Sequence, residues 1–346
     1  MSGLTILRFG IDTLVFTFKG ELSEELLKDL EEKRERAQIV EEPIPFFVGE
    51  QEMFVLPKGR GKYRYVLQRG DLVIQLTESR SIPTARVTLG AKGLVESGPE
   101  VLYAQAERLC AELGADVANA LSRIDLAVDI QGFDLTHDDI RGFVCPANKR
   151  SEHFGGDRLE TASWGKAPIM LRIYDKTQQV REKRKEWWHD VWDRNPAYDP
   201  AQRVFRCEAE IHRAVLKELG VLSVASALSD PGRLLDYAMR WCELRIPSDD
   251  QTKARWALDP RWEQIRQAVY DGLSVSRVRL AAALLDDRAV QVRFVGLVAT
   301  HAARWGLCTW YDALESLAID CEVYLDSEET DFAAETEKRR RRMLTA

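Results

Sequence analysis

Three short stretches carry acids, cations and a tyrosine at two-residue spacing. In Arg123-Ile-Asp-Leu-Ala-Val-Asp129 the residues Asp125, Ala127 and Asp129 alternate with apolar ones. An extended chain therefore sets both carboxylates on one face with a small residue between them. Arg206-Cys-Glu-Ala-Glu-Ile-His212 repeats the pattern, with Glu208 and Glu210 on the same face as Arg206 and His212. Either strand alone also reads as a half-exposed strand of alternating charge. Together they bring four carboxylates into one sheet, where they repel and take up protons unless a cation joins them. Asp125, Asp129, Glu208 and Glu210 are thus candidate ligands for a hard divalent metal, Mg²⁺ or Mn²⁺.

Between these stretches lies Met170-Leu-Arg-Ile-Tyr-Asp-Lys176, in which Tyr174 shares a face with Arg172 and Lys176. Two flanking cations would steady a phosphate and lower the phenol from its ordinary value of about 10 toward phenoxide, making Tyr174 a candidate nucleophile. A metal beside a scissile phosphate would neutralise its charge. A lone sheet tyrosine is otherwise an amphipathic packing residue. Downstream, Arg181, Lys183, Arg184 and Lys185 run into Trp187, Trp188 and Trp192. Basic side chains beside indole rings suit single-stranded DNA, the cations meeting phosphates and the rings stacking on bases. Trp188 and Trp192, four residues apart, fit equally the core face of a helix.

These residues need a sheet, and the apolar patterning supplies one. A strand over 4–18 is followed by a charged helix over 22–38 with Ser23 as N-cap. Apolar runs near 44–56, 62–67, 71–77 and 85–90 read as antiparallel strands, and 98–114 as a helix. A second series starts at Arg123, with a helix start capped by Thr136, strands near 159–164 and 168–175, a basic aromatic helix over 177–192 and a strand over 203–213. Gly10-Ile-Asp-Thr-Leu-Val-Phe16 echoes Arg123-Ile-Asp-Leu-Ala-Val-Asp129, with Phe16 standing where the second copy has Asp129. From about 215 onward the spacing is helical, including 275–287, and the chain ends in the basic run Lys338–Arg342. The expected fold is α+β: two related antiparallel-sheet-plus-helix units over 1–118 and 119–218, the second catalytic, then a helical C-terminal lobe over 219–346 with a basic tail.

A length of 346 residues allows several lobes. The chain is 45% hydrophobic and 30% charged, as an ordinary soluble protein is, and its net charge of −7 excludes a uniformly basic nucleic-acid binder. Residues 149–213, however, hold fourteen Lys and Arg against eleven Asp and Glu. Six scattered cysteines without a C-x-x-C pair predict reduced thiols and no structural disulfide. Arg8 and Asp12 interrupt the apolar N-terminus, so no signal peptide or membrane span is expected, and a cytoplasmic location follows.

The order RIDLAVD, LRIYDK, RCEAEIHR resembles the Rep_trans family of rolling-circle replication initiators of plasmids and phages, together with related relaxases of integrative conjugative elements. The resemblance is specific over roughly 120–215, faint over the first 115 residues and absent after about 220. It implies that Tyr174 nicks one DNA strand and stays joined to the 5′ phosphate. It also implies that strand carboxylates among Asp125, Asp129, Glu208 and Glu210 hold the metal, and that Arg172 and Lys176 flank the reacting phosphate. The stretch before the nucleophile strand, ETASWGKAPIM, departs from the family's glycine-centred turn, with Gly165 the residue available for it. The implied partner is an origin hairpin or single-stranded DNA, with a helicase and a second protomer as further partners. A non-catalytic DNA-binding regulator on the same fold, and a metal-dependent hydrolase with an incidental tyrosine, are the alternatives.

Overall fold

The computed structural model describes residues 3–156, 158–270 and 287–345. The chain divides into two compact units, Met1–Arg279 and Leu280–Ala346.

The first unit opens with a long strand, β1 (Thr5–Lys19), and helix α1 (Glu24–Val40), whose first turn is capped by Ser23 Oγ accepting from the Leu26 N–H at 3.2 Å. The apolar run 44–56 divides into a hairpin, β2 (Ile44–Val48) and β3 (Gln51–Val55), because Gly49 turns with φ of 55°. Then come β4 (Tyr65–Arg69), β5 (Leu72–Leu76), β6 (Ala85–Leu89), α2 (Ala91–Ser97) and α3 (Pro99–Glu112). The second series runs β7 (Val117–Gln131), α4 (His137–Arg141), β8 (Phe143–Val144), β9 (Arg150–Gly155), β10 (Arg158–Lys166) and β11 (Ile169–Asp175). It continues through α5 (Lys176–Lys183), α6 (Trp187–Trp192), β12 (Phe205–His212) and α7 (Arg213–Glu218). Thr136 caps α4 as expected, within a reciprocal pair of bonds to Asp139.

The strands of both series form one continuous sheet in the order β2-β3-β4-β5-β6-β1-β7-β12-β11-β10-β9. The seam is the antiparallel pair β1–β7, which runs from Thr5↔Gln131 to Lys19↔Val117. The strand order is mirrored about that seam, each series placing its last strand beside its first. The two expected units are accordingly not separate bodies: they share one sheet and one apolar cluster. Phe9, Ile11, Leu14 and Phe16 of β1 and Ile124, Leu126, Val128 and Ile130 of β7 all belong to that cluster, which α1 joins with Leu30 and α3 with Leu109.

The expected boundary at 218/219 also differs from what is observed. After α7 the chain forms α8 (Val224–Ser229), α9 (Pro231–Trp241), β13 (Glu243–Ile246), β14 (Ala257–Leu258) and α10 (Pro260–Tyr270), all within the first unit. Helix α9 buries Leu234, Leu235, Ala238 and Met239 in the sheet's cluster and packs on β7, β11 and β12. Strand β13 pairs with β8 and β14 in a small second sheet. Two- and four-residue strands are too short to show an alternation in sequence, which is why helical spacing dominates this stretch. The second unit comprises α11 (Asp287–Trp305), α12 (Trp310–Ser327) and α13 (Phe332–Thr345), the last containing the basic run. The expected helix over 275–287 falls, up to residue 286, outside the described residues. Among the described residues no helix is long and apolar enough to cross a membrane.

Candidate active site

On the face of the sheet away from the common core, strands β7, β12 and β11 lie side by side. Their register decides which motif residues meet. Glu210 pairs with Asp125, Glu208 with Ala127 and Arg206 with Asp129; on the other flank Arg172 pairs with Glu208 and Tyr174 with Arg206. Asp125, Glu208 and Glu210 therefore form one group, with Ala127 leaving room beside Glu208. Two guanidiniums clamp it. Arg123 bonds both oxygens of Asp125, at 2.6 and 2.5 Å, and reaches Glu210 at 2.9 Å. Arg172 bonds Glu208 Oε1 at 2.5 Å and lies 3.4 Å from Glu210, while His212 Nε2 is 2.7 Å from the other Glu210 oxygen.

Asp129 stands apart from this group. Buried to 1% exposure, it binds the fully buried Arg206 through two hydrogen bonds, at 2.6 and 2.8 Å, and accepts from the Trp192 indole at 2.9 Å. Arg206 also binds Asp12, which bulges out of the β1 register beside Thr13. Burial opposes the Asp129 charge, but Arg206 outweighs it and holds the carboxyl below its ordinary range.

The Tyr174 hydroxyl donates to Glu208 Oε2 at 2.8 Å, and the side chain is nearly buried. The expected lowering of the phenol does not occur. Burial, then the adjacent Glu208 charge, push Tyr174 well above its ordinary value, against the pull of Arg206. Arg172 is engaged by the two glutamates, and the Lys176 ammonium lies 5.7 Å from the tyrosine ring centroid, donating to Gln179 at 2.6 Å. Burial and the nearby Arg206 pull the Lys176 amine down to about 7. The nucleophile candidate is thus a phenol that its surroundings hold in the neutral form, with its hydroxyl on Glu208.

These groups line one cleft of about 560 Å³ that includes Arg123, Asp125, Arg172, Tyr174, Lys176 and Glu208. Asp12, Thr13 and Ala91 of the first strand series also line it. The expected basic aromatic helix is interrupted: α5 ends at Lys183 and is capped by Arg184, which adopts a left-handed conformation with φ of 53°, and α6 starts at Trp187. Lys183 and Lys185 line the cleft on either side of this break. Arg181 lines an adjoining cavity of about 210 Å³ together with Arg158 and Arg203, and Arg184 is exposed. Trp187 is half-buried and stacks on Trp188 with centroids 4.4 Å apart. Trp188 and Trp192 are fully buried, as core residues. Three cations face the Trp188 ring: Arg206 at 4.2 Å, Lys176 at 4.7 Å and Arg8 at 5.3 Å.

Sequence reasoning did not single out Arg123, Asp12 or Arg206 as parts of the site. Arg123 was within reach, since it is two residues from Asp125 and shares its face. The bulge that delivers Asp12 leaves no mark in the alternation.

No family model matches the chain. It is 26% identical over 256 residues to the uncharacterized protein ORF430 of Pseudomonas phage Pf1, the match covering 63% of this chain and 56% of ORF430. The chain thus spans little more than half the length of that relative. Among solved structures it is similar to a rolling circle replication initiator protein from Geobacillus stearothermophilus, with 18% identity and a TM-score of 0.49 over 80% of this chain and 99% of that one. The three sequence blocks RIDLAVD, LRIYDK and RCEAEIHR lie on β7, β11 and β12, the first residue of α5 included in the second block.

Proposed function

We propose that this protein is a replication initiator that nicks one strand of DNA at an origin, with Tyr174 as nucleophile and a 5′-phosphotyrosine as the covalent intermediate. The observation that carries the reading is the hydrogen bond from the Tyr174 hydroxyl to Glu208 inside a cleft that all three motif strands build. Glu208 receives the phenol proton as the oxygen attacks phosphorus, and the 3′ oxygen leaves. Arg172, Lys183 and Lys185 hold the strand's phosphates, and Trp187 offers a base a stacking face.

The donor chemistry fits a hard divalent cation. Asp125, Glu208 and Glu210 are adjacent oxygen donors, and burial pushes the Asp125 carboxyl up to about 7 despite Arg123, with Glu208 and Glu210 adding to the rise. When bound there, Mg²⁺ or Mn²⁺ supplies positive charge to the scissile phosphate. Asp129 is left to Arg206. Among the described residues no three such side chains are already arranged around one point as ligands, and Arg123 and Arg172 occupy the oxygens. Loading therefore requires those guanidiniums to turn toward the incoming phosphate.

That occupancy favours a second reading, a DNA-binding regulator in which the arginines replace the metal. Labelled single-stranded oligonucleotides with origin-like sequences, incubated with the protein and Mn²⁺ and run on denaturing gels, separate the two. A covalent adduct that disappears with chelator and with Tyr174→Phe supports nicking. Tight binding without an adduct on any such DNA overturns it in favour of the regulator.

A further inference from the structure

Cys145 and Cys242 meet at the end of the small sheet formed by β8 and β13. The ladder pairs Phe143 with Leu244 and Val144 with Glu243 and ends there; continued by one step, the same register brings Cys145 opposite Cys242. The Arg245 N–H donates to the Gly142 carbonyl at 3.0 Å, which makes 142/245 a hydrogen-bonded pair. Pairs alternate along an antiparallel ladder, so 145/242 falls on a non-hydrogen-bonded position, where Cα atoms approach to about 4.5 Å. That separation lies within the roughly 4.4–6.8 Å that a disulfide spans. The Cys242 side chain lies within electrostatic reach of the Cys145 sulfur, and the Ala147 N–H points at that sulfur from 3.5 Å. Cys145 is half-buried and Cys242 buried, so a small reagent reaches one sulfur while the other waits beneath it.

We propose that Cys145 and Cys242 are a modification site that closes to a reversible disulfide when the protein meets a peroxide. Its warrant is independent of the nicking reaction. The Cys145 sulfur attacks one peroxide oxygen, the O–O bond breaks, and water leaves, giving a sulfenic acid at Cys145. The Cys242 sulfur then attacks that sulfur, its thiol proton goes to the departing hydroxyl, and a second water leaves. Two thiols are oxidised and one peroxide is reduced to two waters. The neighbouring Cys242 side chain, then the Ala147 N–H, hold the Cys145 thiol down at about 7 despite partial burial, whereas burial pushes Cys110 up to about 12. Cys145 is thus the attacking sulfur. The bond would close a chain loop containing Tyr174 and both β12 glutamates, reducing the freedom of the unfolded chain.

The test uses the full chain carrying Cys308→Ser and Cys321→Ser, which removes the exposed thiols that could join two molecules. After brief hydrogen peroxide treatment, thiols are counted in denaturant, peptides are mapped and the thermal midpoint is read. The expected result is loss of two thiols, a linked Cys145–Cys242 peptide and a midpoint higher by about 5 °C or more, all reversed by dithiothreitol. Cys145→Ser, at a half-buried position, should abolish all three changes while retaining the unoxidised midpoint. Oxidation of Cys145 to a sulfinic acid without a linked peptide, or a linkage that involves Cys110 or Cys207, overturns the proposal.

Discussion

Two acids on the same sheet face have different partners, Asp129 the buried Arg206 and Glu208 the Tyr174 hydroxyl, and single amide substitutions test whether their tasks differ. Asp129→Asn leaves Arg206 buried with Asp12 alone, so the protein should lose about 3 kcal/mol of stability, read by urea unfolding. Glu208→Gln retains an oxygen toward Tyr174 but cannot take its proton. Adduct formation should fall by at least about 10²-fold with the urea midpoint little changed. Equal activity losses with equal destabilisation would mean that both acids serve the fold. The alternation of β7, β11 and β12 made this face legible in the sequence, down to which residues share it. The pairing was not legible, because cross-strand register depends on the turns between strands that are far apart in sequence. Hence four carboxylates looked equivalent until register set Asp129 opposite Arg206.

Elements that lie away from the cleft position it. Gly165, the residue available for the departed turn, adopts φ of 85°, and a Cβ there would sit 2.5 Å from the Ile169 carbonyl oxygen and 2.6 Å from the Trp241 ring. Gly165→Ala should therefore cost about 2 kcal/mol, measured by denaturant unfolding, and lower nicking through misplacement of β11. At the far end of the sheet, Glu31 of α1 accepts from Arg34 and, at 2.8 Å, from Arg64. The Arg34 bond is the main reason its carboxyl is held down at about 2 despite some burial. A depressed acid stabilises above its unfolded value of about 4.3 and loses that contribution as pH falls toward the folded value. Glu31→Gln should unfold a little earlier than the natural protein at pH 7, by under about 1 kcal/mol given solvent screening. The gap should narrow between pH 4.5 and pH 3; a gap independent of pH would rule out the ion pair as its source. Helix α1 and its Ser23 cap were legible from local sequence alone. The break at Arg184 was not, since a non-glycine residue at positive φ has no sequence signature.

At the scale of the molecule, the three motif blocks lie in 119–218, yet that stretch is not a self-sufficient body. β1 covers one edge of β7 along most of its length, α9 supplies Leu234 and Leu235 to the core beneath β11 and β12, and Asp12 neutralises part of Arg206. Residues 119–218 produced alone should expose the β7 edge and an uncovered apolar face, and should aggregate or lack a cooperative unfolding transition, whereas 1–279 should unfold cooperatively. A cooperative, monomeric 119–218 fragment would show that the seam is dispensable. Strand order across the seam was hidden in the sequence because both strands are apolar on the core side and either could have headed its own sheet.

The stacked indoles beside the cleft give the molecule an optical property. Trp187, Trp188 and Trp192 form a column with neighbouring centroids 4.4 and 6.1 Å apart, close enough for their electronic transitions to couple. The far-ultraviolet circular dichroism of the protein should accordingly show a pair of bands of opposite sign from the strong indole transition of this column. Because Lys176 and Arg206 lie against Trp188, any ligand that draws those cations toward itself should alter these bands. Occupancy of the cleft could then be followed by light alone, without a label on either partner.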